Sequence, residues 1–362
     1  MEPLRVLELY SGIGGMHFAL KDCGVAAQVV VAVDINTTAN QIYQHNFPCT
    51  PLWSKSIEGI PLEDFNKLSI DAILMSPPCQ PFTRLGLKRD VVDQRTKSFL
   101  YVLDLLPKLS SPPRYILLEN VKGFEESCAR NQLVKILTEC GYHFKEMMVS
   151  PTSVRTTHYW QYTHKNSCLN PFLNLDFSCP QTGDGPECAQ FLYKLETRAE
   201  QQRKQQQNSD QSITQIQDFL DPDVDLNLEQ YLLLPKTLLR YAPILDIVHP
   251  TSRRSICFTK GYGRYVEGTG SVLQSSTEAE TESVFRGLEE HSEEERLRRL
   301  QTLQLRYFTP REVANLMGFP QGFAFPDDVP VKQRYKVLGN SLNVVVVSKL
   351  LRILLSEEHL GR

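Results

Sequence analysis

Asp71-Ala72-Ile73-Leu74-Met75 runs directly into Ser76-Pro77-Pro78-Cys79-Gln80-Pro81. An apolar run of strand length ended by two prolines sets a cysteine on a stiff turn at a strand's edge. Proline fixes φ and has no N–H with which to continue a ladder. In an open α/β sheet, ligands bind in the crevice outside the carboxyl ends of the strands. A cysteine held there is a candidate nucleophile, because the thiolate attacks and needs a polar, partly open setting. The competing reading is a buried structural cysteine, the commoner fate of a free thiol. Proline on both sides favours the nucleophile.

Outward from this turn, strand-like runs occur at Arg5 to Tyr10, Gln28 to Val33, Tyr115 to Leu118 and Phe144 to Val149. Helical stretches lie between them, such as Met16 to Asp22 with Gly24 as a C-cap. Strands alternating with helices imply an α/β fold with a doubly wound, mostly parallel sheet. The first strand enters Ser11-Gly12-Ile13-Gly14-Gly15 and then a helix, and the second ends in Asp34. Glycines at a strand-to-helix turn let backbone approach a ligand, and a carboxylate at the next strand end suits ribose hydroxyls. The spacing is not that of the dinucleotide fingerprint, so a nucleoside-type cofactor is the expectation. Glu119 closes a further strand on the same sheet edge as Cys79. A thiolate and a carboxylate at one crevice suit a nucleophile working with a proton donor.

Composition excludes several classes. The 362 residues carry 41% hydrophobic and 22% charged residues and a net charge of -3, which gives no basic footprint for general nucleic-acid binding. A polyanion would have to meet a local patch, either Lys88, Arg89, Arg95 and Lys97 or Arg253, Arg254, Lys260 and Arg264. No apolar stretch is long enough to cross a bilayer, and no signal-peptide pattern is present. Nine scattered cysteines suggest reduced thiols inside a cell. Further along, Leu226 to Val248 reads as an amphipathic helix interrupted by Pro235 and Pro243. Gln201 to Gln211 reads as an exposed polar segment, and Thr277 to Arg299 as exposed helix or loop. A helix is expected after Thr309-Pro310.

The glycine turn, Pro77-Pro78-Cys79-Gln80, Glu119-Asn120-Val121 and Gly339-Asn340-Ser341 resemble, in order, the motifs of the cytosine-5 methyltransferases. Cys257-Phe258-Thr259 resembles a signature of that family's tRNA-methylating branch, which acts on aspartate tRNA. The resemblance implies the fold of S-adenosylmethionine-dependent methyltransferases with a smaller target-recognition region inserted. It implies a catalytic core over 1–153, an off-pattern segment over 154–190, a target-recognition region over 191–300 and a return to the core over 301–362.

By resemblance, Cys79 attacks C6 of a cytosine in the anticodon loop and Glu119 binds the ring's N3 and amino edge. S-adenosyl-L-methionine, leaving as S-adenosyl-L-homocysteine, would be held by Ile13, Gly14, Gly15, Asp34, Ile35, Ile57, Glu58, Pro78, Leu100 and Ser341. The substrate would meet Lys88, Arg95, Lys122, Cys257, Phe258 and Thr259. The implied partner is tRNA, with DNA as the second reading, no metal, no membrane and a monomer in the cytoplasm or also the nucleus.

One motif departs from the family. Where relatives carry Arg-x-Arg leading into a core strand, this chain reads Ser150-Pro151-Thr152-Ser153-Val154-Arg155-Thr156-Thr157-His158. Arg155 stands alone and no apolar run of strand length follows. A missing strand would expose its neighbours' backbone edges. A form that binds cofactor or RNA without turnover is therefore the third reading. His158, His164, Cys168, Cys179 and Cys188 fit no zinc spacing.

Overall fold

The computed structural model describes residues 2–82, 90–151, 156–164, 191–192, 206–211, 213–221 and 227–356. Among the described residues eight strands form one sheet: β1 (Leu4–Leu9), β2 (Ala27–Val33), β3 (Leu52–Trp53), β4 (Ala72–Met75), β5 (Tyr115–Asn120), β6 (His143–Pro151), β7 (Thr156–His164) and β8 (Phe191–Leu192). Their spatial order is β3-β2-β1-β4-β5-β7-β6-β8. The pairs β2–β3, β1–β2, β1–β4 and β4–β5 are parallel, and β7 runs antiparallel to both β5 and β6. The chain winds outward from β1 in both directions, so the order reverses between β1 and β4.

Strand side chains alternate between faces, and the core follows. Val6, Ala72, Leu74, Tyr115 and Leu117 pack on one face with helix α1 (Gly15–Asp22) and the C-terminal helix Val344–Ser356. Leu7, Leu9, Ile73, Met75, Ile116 and Leu118 pack on the other with helices Lys97–Leu105 and Cys128–Glu139. Both layers are buried, which is why these strands read as unbroken apolar runs.

The core strand expected to be missing after Ser153, for want of an apolar run, is present as β7. Six of its nine residues, Thr156-Thr157-His158-Tyr159-Trp160-Gln161-Tyr162-Thr163-His164, are threonine, tyrosine or tryptophan, types that favour a pleated surface. β7 pairs along the whole of β5, with Glu119 opposite Trp160 and Asn120 opposite Tyr159. The exposed edge expected on β5 is therefore covered. Arg155 lies outside the described residues, as do Cys168, Cys179, Cys188 and the first half of the Gln-rich segment.

The stretch 226–248 is not one helix. Pro235 starts a short helix, Pro235–Tyr241, and Pro243 sits in a separate 3-10 turn before strand β9 (Ile247–Val248). β9 pairs with β10 (Val272–Gln274), which pairs with β11 (Leu305–Arg306), and Leu233, Leu238, Leu288, Leu300 and Leu303 form a separate core around them. The helix after Thr309 runs Pro310–Leu316 with a complete capping box between Thr309 and Glu312.

Candidate active site

Two turns meet where the strand order reverses. One follows β1 and carries Ser11 to Gly15; the other follows β4 and carries Ser76 to Pro81. The Ser76 hydroxyl donates to the Tyr10 carbonyl at 3.2 Å and ties them together. Gly14 has φ 87°, and a Cβ on it would stand 2.5 Å from Phe47 Cε2, so only glycine fits.

Asp34, just past β2, accepts from Gly12 N at 2.8 Å through Oδ2 and from Asn36 N at 2.7 Å through Oδ1. Burial pushes its carboxyl up, and these backbone N–H groups hold it back. Ile35 beside it is 69% exposed, an apolar surface at a strand's carboxyl end. Tyr10 closes one side, its hydroxyl bonded to Ser98 Oγ at 3.0 Å and pushed up by burial, then by the charges of Glu58 and Asp34. Gly15 closes the other side: a Cβ there would meet Leu342 Cδ1 at 3.0 Å and Ser341 Oγ at 3.1 Å. Asp34 and Glu58 thus both act on Tyr10 at the end of β1, and Ser341 lies against Gly15 on the turn that follows.

Beneath the glycine turn lies a network with no exposed member. The Tyr43 hydroxyl is 2.8 Å from Glu8 Oε2 and 2.8 Å from His17 Nδ1, while His17 N donates to Glu8 Oε1 at 3.2 Å. Burial pushes Glu8 up to about 8 and lowers His17 to about 3. The Tyr43 hydroxyl donates to Glu8, and the same hydroxyl meets the His17 ring.

Cys79 stands on the second turn, with Phe82 N donating to its carbonyl at 3.0 Å. Asn120, buried at the end of β5, donates from Nδ2 to the Pro77 carbonyl at 3.2 Å. Burial pushes the Cys79 thiol up, the Glu119 carboxylate pushes it further, and the Lys260 ammonium acts in the opposite direction. Cys257 is exposed as a residue, but desolvation around its sulfur and then Glu119 push its thiol up too. Cys79, Glu119, Cys257 and Lys260 therefore share one electrostatic neighbourhood.

Arg95 is chelated by Asp93, from Nε to Oδ1 at 2.8 Å and from Nη2 to Oδ2 at 2.7 Å. The Cys79 thiolate charge also acts on it.

The remaining expected residues divide. Ile13 and Ile57 are buried in the core; Pro78 and Leu100 are half-buried; Lys122 is exposed just past β5. Phe258, expected at the substrate, belongs to the core. It packs edge-to-face with Tyr262 at 4.9 Å and Phe308 at 5.5 Å. Thr259 shapes a turn, donating from N to Thr269 O at 2.8 Å and accepting from Gly261 N at 3.3 Å.

The second basic patch is split. The Arg253 guanidinium donates to the Ile213 carbonyl and Arg254 pairs with Asp246 at 2.7 Å, leaving Lys260 and Arg264 on the surface. Lys88 and Arg89 lie outside the described residues. Tyr10, Asn120 and Glu8 were not singled out by the sequence. Only Asn120 left a trace there, as the neighbour of Glu119. Among the described residues no three metal-type ligands come together, and no helix is long and apolar enough to cross a membrane.

Comparison with known proteins gives the same outline. Residues 4–153 and 184–356 match the family model described as C-5 cytosine-specific DNA methylase. A Homo sapiens protein named tRNA (cytosine(38)-C(5))-methyltransferase is 49% identical, covering 98% of this chain and 100% of its own. The Mus musculus protein of the same name is 51% identical, covering 98% of this chain and 94% of its own. A crystal structure of S. pombe Dnmt2 methyltransferase superposes with a TM-score of 0.76 at 35% identity, covering 100% of both chains.

Proposed function

The chain belongs to the C-5 cytosine-specific DNA methylase family, and on that premise we propose that it methylates C5 of a cytosine in tRNA. The position is the one named for its relatives, cytosine 38, in the anticodon loop, with aspartate tRNA as the substrate. The observation that carries this reading is the convergence of Cys79, Glu119 and the Gly14–Asp34 crevice at the strand-order reversal.

The crevice suits S-adenosylmethionine. Asp34 offers a carboxylate already oriented by Gly12 and Asn36, exposed Ile35 offers an apolar face for a purine, and glycine at 14 and 15 admits close approach. When bound, this cofactor supplies an electrophilic methyl group. Cys79 sulfur adds to C6 of the cytosine, and the displaced electron pair makes C5 nucleophilic. Glu119 holds the ring's N3 and amino edge while charge builds there. After C5 is methylated, loss of its proton expels Cys79 and restores the ring. An anticodon loop is single-stranded, so extruding its base costs little.

The test is a covalent trap. RNA carrying 5-fluorocytosine cannot lose the C5 substituent, so wild-type chain and S-adenosylmethionine should give an adduct that survives denaturation. Cys79→Ala should give none. Methyl transfer to duplex DNA but not to tRNA would overturn the tRNA reading. The break in the family match after residue 153 favours a second reading, binding without turnover. That reading expects RNA binding with no adduct.

A further inference from the structure

We propose that Tyr265 is a stacking platform for a nucleobase of the RNA loop that flanks the target cytosine, deepening the tRNA reading above and resting on it. The signature Cys257-Phe258-Thr259 opens a turn whose two tyrosines have opposite fates. Tyr262 is buried, its hydroxyl donating to the Ser271 carbonyl at 2.7 Å and accepting from Phe308 N at 2.9 Å. Tyr265, three residues on, is 57% exposed. It is nonetheless fixed. Its N donates to the Gly261 carbonyl at 2.9 Å, and its carbonyl accepts from Thr269 Oγ1 at 2.7 Å. Its ring edge lies against Gly261, where an added Cβ would stand 3.0 Å from Cδ2.

A single exposed aromatic is ordinary on a protein surface, so what points to a ligand here is the charge gathered around it. Its surroundings name the class of ligand. The Arg264 guanidinium sits 5.0 Å from the Tyr265 ring centroid. Lys260 begins the same turn, and its ammonium acts on the Cys79 thiol. The turn is held to the crevice from behind, because Gly339 packs directly on the Thr259–Lys260 peptide and the same motif brings Ser341 to Gly15. An exposed ring with a guanidinium over it, on a turn whose Lys260 acts on the nucleophile, matches how single-stranded nucleic acid is gripped: bases stack on aromatics while cations meet phosphates. Once the target cytosine has left its stack, a neighbouring base also loses a stacking partner, and Tyr265 can replace it.

The test uses anticodon stem-loop RNAs with 2-aminopurine at one loop position at a time. Wild-type chain should quench one position flanking the target. Tyr265→Phe should keep both quenching and affinity. Tyr265→Ala should lose the quench and bind about 10-fold more weakly. An abasic site at that position should weaken wild type by the same factor and leave Tyr265→Ala unaffected. Quenching or affinity unchanged in Tyr265→Ala overturns the platform, as does Tyr265→Phe behaving like Tyr265→Ala, which would assign the effect to the hydroxyl. A wild-type chain that binds no stem-loop overturns the tRNA reading along with it, whereas binding without quenching at any position overturns the platform alone.

Discussion

Gly339 and Thr259 meet backbone to backbone: a Cβ on Gly339 would lie 2.2 Å from the Thr259 carbonyl carbon and 2.5 Å from its oxygen. Gly339 has φ -69°, so any residue could adopt its conformation. The glycine is required by space alone. The contact joins the C-terminal motif whose Ser341 lies against Gly15 to the turn that carries Lys260. Gly339→Ala must push two backbones apart, at a cost of about 1–3 kcal/mol. The expected result is a lowered urea midpoint together with weakened binding of S-adenosylmethionine, measured by calorimetry. Wild-type values for both would show that the two segments do not touch.

Asn120 gives a prediction for the nucleophile's turn. Its Nδ2 donates to the Pro77 carbonyl at 3.2 Å and its Oδ1 accepts from Val121 N at 2.9 Å. Asn120→Ala leaves both groups unpaired in a buried place, costing about 1–3 kcal/mol. It also frees the turn that aims Cys79. A misplacement of about 1 Å can cost about 100-fold in rate, so kcat should fall far more than the KM for RNA rises. Equal effects on both would make Asn120 a binding residue instead.

Much of this site is legible in the sequence because its residues sit at strand ends, where an apolar run stops at a functional side chain. Cys79, Glu119 and Asp34 each follow such a run, and the doubly wound sheet then brings those ends to one edge. What is not legible depends on partners distant in the chain. Phe258 looks like a ligand contact beside Cys257, but its burial against Phe308 is decided by tertiary packing. Arg253 and Arg254 look like a basic patch until the Ile213 carbonyl and Asp246 occupy them. β7 escapes because threonine and aromatic residues build a strand without an aliphatic run. The Glu8–Tyr43–His17 network joins three elements and leaves no local pattern at all.

That network predicts a pH dependence of stability. Burial raises Glu8 from 4.5 to about 8, so between those values the folded chain holds a proton that the unfolded chain has released. Stability from this group therefore falls as pH rises toward about 8. His17, lowered from 6.5 to about 3, acts oppositely below 6.5 and contributes nothing above it. Lys21 adds to the lowering of His17, and the Asp34 charge adds to the raising of Glu8. From pH 6.5 to 8 the Glu8 slope stands clear, at up to about 1.4 kcal/mol per pH unit. Glu8→Gln should flatten urea-unfolding free energies across this window. A wild-type curve already flat there sinks the assignment.

Lys260 predicts how the thiol is tuned. Burial and Glu119 both raise Cys79, and among the groups acting on it Lys260 is the cation that lowers it. Removing the ammonium leaves only the backbone N–H of Cys79 itself to offset the raising influences, so less thiolate is present at any given pH. Lys260→Ala should therefore shift the pH profile of Cys79 alkylation by iodoacetamide toward alkaline values, read by mass spectrometry on the peptide containing Cys79. Glu119→Gln should shift the same profile toward acid, because it removes a charge that disfavours the thiolate. Alkylation needs neither RNA nor cofactor, so the shift is separate from any loss of phosphate contact that Lys260→Ala also causes. Identical profiles for the two variants and wild type would mean that neither charge reaches the sulfur, and the neighbourhood around Cys79 would have to be redrawn.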